Sequence, residues 1–266
     1  MSITTGNGPF SPEGPGRRHL FRDGDLVFLQ DLGRRVRGRL AGHLVIDSEE
    51  AMLLHRSGAL PTYHFPGRAV DFECLSEDRR RTDDRLGEIL DFTVHAGGKR
   101  EESAAWRYVD PPAELNFLEG VFGFDFSALD AWFEEDEHVR VHPRDPFHRI
   151  DVLRSGRHVC VFVDEEPVAE SRRPMMLFET GLPVRYYLPK SDVRLELLHS
   201  SVTTTHCPYK GEATYYHVRV MDKTHTDVFW TYEEPLRDAQ KVAGMLSVLQ
   251  ESRRVRVEVD GEPLVS

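Results

Sequence analysis

Residues 206–216 bring a thiol, an ammonium group, an imidazole, a carboxylate and three phenols into eleven consecutive positions. Within this segment Pro208 and Gly211 enclose the Tyr-Lys pair, which predicts a turn of defined shape. A turn that places Cys207 and Lys210 close together brings a nucleophile beside a cation. The segment is therefore the candidate centre of any chemistry that the chain performs.

Cys207 is the candidate nucleophile, because a cation at Lys210 or His206 would favour the reactive thiolate form. Lys210 itself is a candidate for forming a Schiff base or for binding an anion. The alternative is structural: Cys207 packs as a small apolar residue, and Lys210 pairs with a carboxylate. The residue types alone leave both interpretations open.

Further candidates lie outside this segment. Glu179 precedes a predicted turn at Gly181 and is a candidate acid or base, and Arg185 is a candidate anchor for a carboxylate or phosphate. Aromatic residues with a few polar anchors are typical of a small-molecule pocket, although Trp230 and Tyr187 also fit a core position. The predicted catalytic residues are Cys207, Lys210, Glu179 and Tyr209, and the predicted ligand-binding residues are Arg185, Tyr187, His206, Tyr216, Trp230 and Tyr232.

The composition and net charge of the chain argue against several classes of protein. The chain has 266 residues and a formal net charge of −11, which argues against general nucleic-acid binding. No apolar stretch is long enough for a membrane helix, and residues 1–16 lack the apolar core of a signal peptide. The thirteen histidines show neither His-x-His nor His-Glu-x-x-His spacing, so a metal site built from His206, His217 or His225 would have to be assembled by the fold. No metal and no cofactor are predicted. The expected partner is a small-molecule ligand, and the oligomeric state stays open.

Three cysteines, Cys74, Cys160 and Cys207, lie far apart along the chain. This number and spacing exclude a disulfide framework and a Cys-x-x-Cys zinc site. A reducing, cytoplasmic location is the resulting expectation.

Internal similarity indicates a tandem duplication. Trp230 follows Trp106 by 124 residues within similar flanking sequence, and the Leu-Pro pair at 182–183 follows that at 60–61 by 122. The predicted organisation is an N-terminal arm over 1–38, disordered before about Pro15, a first copy over 39–140 and a second over 141–266.

Each copy has mostly β signals. Residues 159–163 and 255–259 are rich in β-branched side chains, and 184–188, 193–198 and 215–220 are further predicted strands. Apolar residues at helical spacing over 236–250 predict one late helix. The predicted fold class is mainly β, with two tandem domains of antiparallel sheets and one short late helix in each.

The two copies differ at the segment that could do chemistry. At an offset of 124, residues 207–212 align with 83–88, where Gly and Glu are kept but Cys, Pro, Tyr and Lys are not. This predicts an intact site in the second copy alone, with the first copy as scaffold or covering wall.

The sequence Thr203–Ala213 resembles the Thr-x-Cys-Pro-Tyr-Lys-Gly-x-Ala signature of domain-of-unknown-function family 427. Residues 178–189 and 230–235 are similar to two further blocks of that family, so the resemblance covers nearly the whole chain as a tandem pair. It implies a β-tent-like fold, in which two antiparallel sheets meet at an angle. Relatives of that shape hold zinc with cysteines that this chain lacks, so neither zinc nor reductase chemistry is carried over.

Three functional hypotheses follow. The first is a small-molecule enzyme of unknown reaction, with its Cys/Lys/Tyr site in the second copy. The second is a non-catalytic module that binds a small ligand between aromatic faces. The third is a structural or interaction protein in which the turn holds two sheets together.

Overall fold

The structure is a computed structural model that describes residues 4, 8–11 and 16–264. The predicted disorder before about Pro15 falls mostly outside these residues. The chain forms two compact units, Met1–Phe147 and His148–Ser266. This division lies a few residues after the predicted boundary at 140/141, and the strands Gly16–Leu20 and Leu26–Asp31 of the predicted arm pair within the first unit.

The first unit consists of one large and one small antiparallel sheet, in the orders β1-β2-β5-β6-β10-β9-β8-β7 and β12-β11-β3-β4. Its strands are β1 Gly16–Leu20, β2 Leu26–Asp31, β3 Val36–Leu40, β4 His43–Ser48, β5 Met52–Arg56, β6 Thr62–Pro66, β7 Leu75–Asp83, β8 Gly87–Ala96, β9 Lys99–Asp110, β10 Val121–Phe124, β11 Ala131–Glu134 and β12 Glu137–Val139, and its short 3₁₀ helices are Gly67–Ala69, Phe72–Cys74, Ala113–Leu118 and Phe126–Ala128.

In the residues that the structure describes, the second unit repeats this topology without a counterpart of β1. Its sheets have the orders β13-β16-β17-β21-β20-β19-β18 and β15-β14-β22-β23. Its strands are β13 Ile150–Arg154, β14 Val159–Val163, β15 Glu166–Ser171, β16 Met175–Glu179, β17 Arg185–Leu188, β18 Leu198–Cys207, β19 Gly211–Val220, β20 Lys223–Thr231, β21 Leu246–Val248, β22 Val255–Val259 and β23 Glu262–Pro263, and its 3₁₀ helices are Lys190–Asp192, Leu195–Leu197 and Arg237–Val242. The predicted mainly β fold in two tandem domains is confirmed.

Each unit buries apolar side chains on both faces of its large sheet. One cluster draws on both sheets, as Phe65 and Val36 do in the first unit. The other cluster lies on the opposite face of the large sheet and includes residues of a 3₁₀ helix, Ala113–Leu118 in the first unit and Arg237–Val242 in the second. Because side chains alternate along a strand, this second cluster defines one face of the large sheet, called here the helix-covered face.

The late helix is shorter than predicted. It is a 3₁₀ helix that ends at Val242, and Gly244 then takes a φ of +66° that favours glycine. The chain continues as strand β21, Leu246–Val248, so the apolar residues at helical spacing over 236–250 serve two different elements. Within the predicted strand over 193–198, residues 195–197 form a 3₁₀ helix and Leu198 begins β18. No helix in the described part of the chain is long and apolar enough to cross a membrane.

Strand register corrects the alignment of the two copies near Glu179. Leu54 pairs with Thr62 in the first unit as Leu177 pairs with Arg185 in the second, an offset of 123 and not 122. The counterparts of Arg185 and Glu179 are therefore Thr62 and Arg56. The correction matters because a shift of one residue exchanges the two faces of a strand.

Candidate functional site

The turn that carries the predicted catalytic residues is the tip of the β18–β19 hairpin. Cys207 pairs with Gly211, which leaves Pro208, Tyr209 and Lys210 in the loop. Gly211 has a φ of +98°, where a side chain would be strained. The carbonyl of Lys210 accepts a hydrogen bond of 3.0 Å from the amide of Leu236. This hydrogen bond ties the turn to the chain that follows β20.

The buried carboxylate of Glu179 contacts the ammonium group of Lys210 and the imidazole of His148. The Nζ of Lys210 donates to its Oε2, and the side chains are 12% and 5% exposed for Lys210 and Glu179. The Nε2 of His148 lies 3.0 Å from Oε1 of the same carboxylate. The imidazole also stacks on the buried ring of Tyr209, with centroids 4.0 Å apart. We call Lys210, Glu179 and His148 the carboxylate-bridged trio.

This contact shows that the large sheet curls around its helix-covered face. Glu179 ends β16 and Lys210 follows β18, yet β17, β21 and β20 lie between β16 and the hairpin in the sheet order. Neighbouring strands are about 4.8 Å apart, so a flat sheet would separate these residues by several times a hydrogen-bond length. The curvature therefore makes the helix-covered face of the second unit concave, with the trio at its rim. We call this surface the concave face.

Aromatic and cationic side chains line this concave face. The indole of Trp230 donates a hydrogen bond of 3.2 Å to the phenol of Tyr187, and the guanidinium carbon of Arg185 lies 5.5 Å from the Trp230 ring centroid. Arg185 is paired with Glu251 at 2.5 Å, and this hydrogen bond lowers the pKa of Glu251. Trp230 is half-buried, so it is not a fully enclosed core residue.

Two buried phenols on this face stay protonated. Burial raises the pKa of both Tyr187 and Tyr232, and the negative charge of the Glu179 carboxylate adds to the effect. Cys207 is half-buried at the hairpin tip, where a thiolate would raise the pKa of both phenols further. The arrangement offers O–H donors beside a thiol and a carboxylate.

Two of the predicted ligand-binding residues lie on the other face of the sheet. His206 pairs across the hairpin with Glu212, with its Nδ1 3.4 Å from a carboxylate oxygen. Tyr216 packs against the apolar cluster between the two sheets. The structure brings the other eight predicted residues to the hairpin tip or to the concave face.

His148 and Ser247 also lie at the site, and neither is among the residues predicted from the sequence. His148 lies two residues before Ile150 and four before Val152, and both of those side chains are on the helix-covered face. Because residues two apart in a strand share a face, this spacing could have identified His148 from the sequence. Ser247 lies between Tyr187 and Trp230 in the sheet, paired with both. It was hidden inside the segment predicted as a helix.

The first unit keeps the hairpin but lacks the trio. Asp83 pairs with Gly87 as Cys207 pairs with Gly211, which agrees with the predicted alignment at the turn. Leu86 stands in the place of Lys210, buried in an apolar cluster. The exposed Arg56 stands in the place of Glu179.

A cavity of about 580 Å³ nevertheless opens on the first unit. Its wall includes Trp106, Arg79, Arg81 and Asp91. Asp91 is 5% exposed at its side chain and accepts hydrogen bonds of 2.9 and 3.0 Å from Nε of Arg81, with Arg79 at 3.4 Å. The remaining lining residues are Leu60, Pro61, Thr62, Ser103, Phe124, Asp125, Phe126, Ser127, Val141, His142 and Pro143.

Comparison with known proteins agrees with this duplicated architecture. A comparison with curated proteins found no match. The profile of a family described as a domain of unknown function, DUF427, matches the chain twice, over residues 28–135 and 151–262. These ranges cover most of the chain and fall one in each unit. The chain therefore belongs to the DUF427 family and carries two tandem copies of its domain.

Proposed function

We propose that the chain is a small-molecule enzyme whose site is the concave face of the second unit, with acid–base chemistry at the carboxylate-bridged trio. One observation carries the proposal: the buried Glu179 carboxylate has the Lys210 ammonium on one oxygen and the His148 imidazole on the other. Cys207, on the same turn as Lys210, serves as nucleophile or proton donor.

Comparison of the two units argues against a purely structural role for this trio. Withdrawing an ion pair from water costs free energy that an apolar pair of similar size avoids. The first unit makes the same turn with Leu86, which packs in an apolar cluster. Since the fold does not need the ion pair, its presence in the second unit supports a chemical role.

We assign a role to each group from its contacts. Glu179 orients both partners and provides a path for a proton between the Lys210 ammonium and the His148 imidazole. Tyr209 holds the imidazole plane by stacking. Such an arrangement suits a reaction in which the Cys207 thiolate attacks the substrate and the Lys210 ammonium donates a proton to it.

Recognition of the substrate is assigned to Arg185 and Ser247. The Nη1 of Arg185 and the Oγ of Ser247 are buried, and neither has a hydrogen-bond partner among residues 16–264 and the few described before them. A buried polar atom without a partner is costly, and a ligand with acceptor oxygens would satisfy both. A small carboxylate, phosphate or carbonyl compound is the substrate class that fits.

The first test is the alkylation rate of Cys207 by iodoacetamide as a function of pH, followed by peptide mass spectrometry. Cys74 is the internal control, because burial and the neighbouring Asp71 raise its pKa to about 11. We expect Cys207 to react fastest, with a pH profile that shifts in Glu179→Gln. A Cys207 that stays inert in the folded protein would remove the thiol from the proposal.

Turnover is tested by incubating the protein with a mixture of small carboxylates, phosphates and carbonyl compounds and following their consumption by mass spectrometry. We expect Cys207→Ser and Lys210→Met to abolish turnover, and Ser247→Ala to raise KM more than it lowers kcat. A compound that binds the concave face and is recovered unchanged would instead favour a binding module.

The cavity of the first unit favours a second candidate function, small-ligand binding in that unit. Its volume lies within the range of about 300–1,000 Å³ typical of ligand pockets. Trp106 offers an aromatic wall, and Arg79, whose Nε lies 3.4 Å from Asp91, offers a cation. An aromatic carboxylate is the ligand class that these groups would bind.

Ligand-detected NMR with a library of aromatic carboxylates tests this candidate. We expect binding that is lost in Trp106→Ala and weakened in Arg79→Met, with the compounds recovered unchanged. Trp230→Ala, at the equivalent position of the second unit, is the matched control and should leave this binding intact. Binding that depends on Trp230 and not on Trp106 would overturn it.

A further inference from the structure

A second group of reactive side chains lies on the small sheet of the second unit, away from the trio. The Nε2 of His158 is 2.8 Å from Oε1 of Glu170 and 3.4 Å from Sγ of Cys160. One donor atom from each residue lies within 4.8 Å of the other two. Cys160 is flanked in β14 by the buried Val159 and Val161, so it projects from the face of the sheet opposite the core.

The backbone holds these donors in place. Cys160 is in the middle of β14 and pairs with Glu170 on one side and Glu258 on the other. The amide of His158 donates to Oδ1 of Asp260 at 2.9 Å, and the amide of Asp260 donates to the carbonyl of His158 at 2.7 Å. A site built on paired strands keeps its ligand geometry better than one built on a loop.

We propose that His158, Cys160 and Glu170 form a binding site for a divalent metal ion of the zinc class. An imidazole nitrogen, a thiolate and a carboxylate oxygen are ligands that Zn²⁺ and Co²⁺ accept together, and three protein ligands leave the fourth tetrahedral position to water. The two anionic ligands offset the charge of the ion. This site does not depend on the proposed enzymatic function.

The neighbouring strand explains why the site has three protein ligands. Glu258 lies opposite Cys160, but its carboxylate is bound by Arg256. Arg256 also pairs with Glu165 at 2.8 Å and lies over the ring of Phe162 at 4.0 Å. The positive charge of Arg256 is therefore balanced by Glu258 and Glu165.

The first unit shows that the sheet folds without these donors. By strand register, Arg35, Arg37 and Asp47 stand where His158, Cys160 and Glu170 stand in the second unit. Arg35 and Asp47 form a two-point ion pair with distances of 2.6 and 2.5 Å. The same place thus holds a fixed cation in one unit and the proposed metal ligands in the other, which predicts that this place binds a metal ion in the second unit and not in the first.

The test is a titration of the full chain with Co²⁺, followed by absorption spectroscopy. We expect one equivalent to bind, with a thiolate-to-cobalt charge-transfer band in the near ultraviolet and displacement by Zn²⁺. Cys160→Ser should remove that band, whereas Cys207→Ser should keep it. His158→Asn and Glu170→Gln should each weaken binding by about tenfold or more.

The melting temperature of each metal-free variant shows whether it is folded. A folded wild-type chain that gives no charge-transfer band would overturn the proposal. A band that persists in folded Cys160→Ser, or that disappears in Cys207→Ser, would also overturn it by placing the thiolate ligand elsewhere.

Discussion

Leu86 occupies in the first unit the hairpin position that Lys210 occupies in the second. The equivalence rests on strand register, since Asp83 pairs with Gly87 and Cys207 with Gly211 around turns of equal length. One fold therefore accommodates either a buried apolar residue or a buried ion pair at this point. The chain supplies its own control for separating the structural role of this position from its chemical role.

Removing one partner of the ion pair between Lys210 and Glu179 should lower the free energy of unfolding much more than removing both partners together. Lys210→Leu leaves the buried Glu179 carboxylate without its ammonium partner, and a buried charge that loses its partner typically costs about 3–5 kcal/mol. The double variant Glu179→Leu with Lys210→Leu should recover most of that loss. Urea unfolding of the single and double variants measures both values.

The matched control is Lys190→Leu, which breaks an exposed ion pair with Glu233. Exposed pairs contribute only about 0–1 kcal/mol. Equal losses for Lys190→Leu and Lys210→Leu would contradict the burial argument. A double variant that stays stable but loses turnover would place the role of the trio in chemistry and not in folding.

The two hairpin glycines are expected to differ in their tolerance of a side chain. Both have positive φ, +80° at Gly87 and +98° at Gly211, so alanine should strain either turn by about 1–2 kcal/mol. A Cβ at Gly87 would lie 2.1 Å from the carbonyl oxygen of Asp110, whereas one at Gly211 finds its nearest atom at 3.5 Å.

Gly87→Ala should therefore lose about 1–3 kcal/mol more than Gly211→Ala, because the backbone around Asp110 must move. Denaturant midpoints of the two variants provide the comparison. A larger loss of stability in Gly211→Ala than in Gly87→Ala would contradict this argument from the space around each glycine.

The sequence predicted correctly those strands and turns whose conformation depends on the residues within them. Strands β14 and β22 agree with the predicted ranges 159–163 and 255–259, because runs of β-branched residues leave little choice of conformation. The turn at Gly211 was predicted from its Pro and Gly. The duplication was visible because both copies retain the same tryptophan and its neighbours.

The assembly of the site depends on contacts that no local pattern contains. His148 and Glu179 meet because β13 and β16 pair, and Lys210 reaches them because the sheet curls. Gly244 ends the late helix, and this places Ser247 on a strand between two aromatic residues. His206 and Tyr216 show the converse: they are close to Cys207 in sequence, but strand alternation puts them on the opposite face.

His64 should make the first unit sensitive to acid. It is fully buried, and burial together with the nearby charge of Arg56 lowers its pKa to about 4. An unfolded histidine titrates near 6.5. Above about pH 6.5 the residue is neutral in both states and adds no pH dependence.

Between about pH 6.5 and 4 the unfolded chain binds a proton that folded His64 does not, so stability falls by about 1.4 kcal/mol per pH unit, and by about 3 kcal/mol in total. His64→Gln should remove this part of the slope when unfolding free energy is measured over that range. His43→Gln, at an exposed position, is the control and should retain it. Parallel slopes for wild type and His64→Gln would show that other groups determine the acid sensitivity of the first unit.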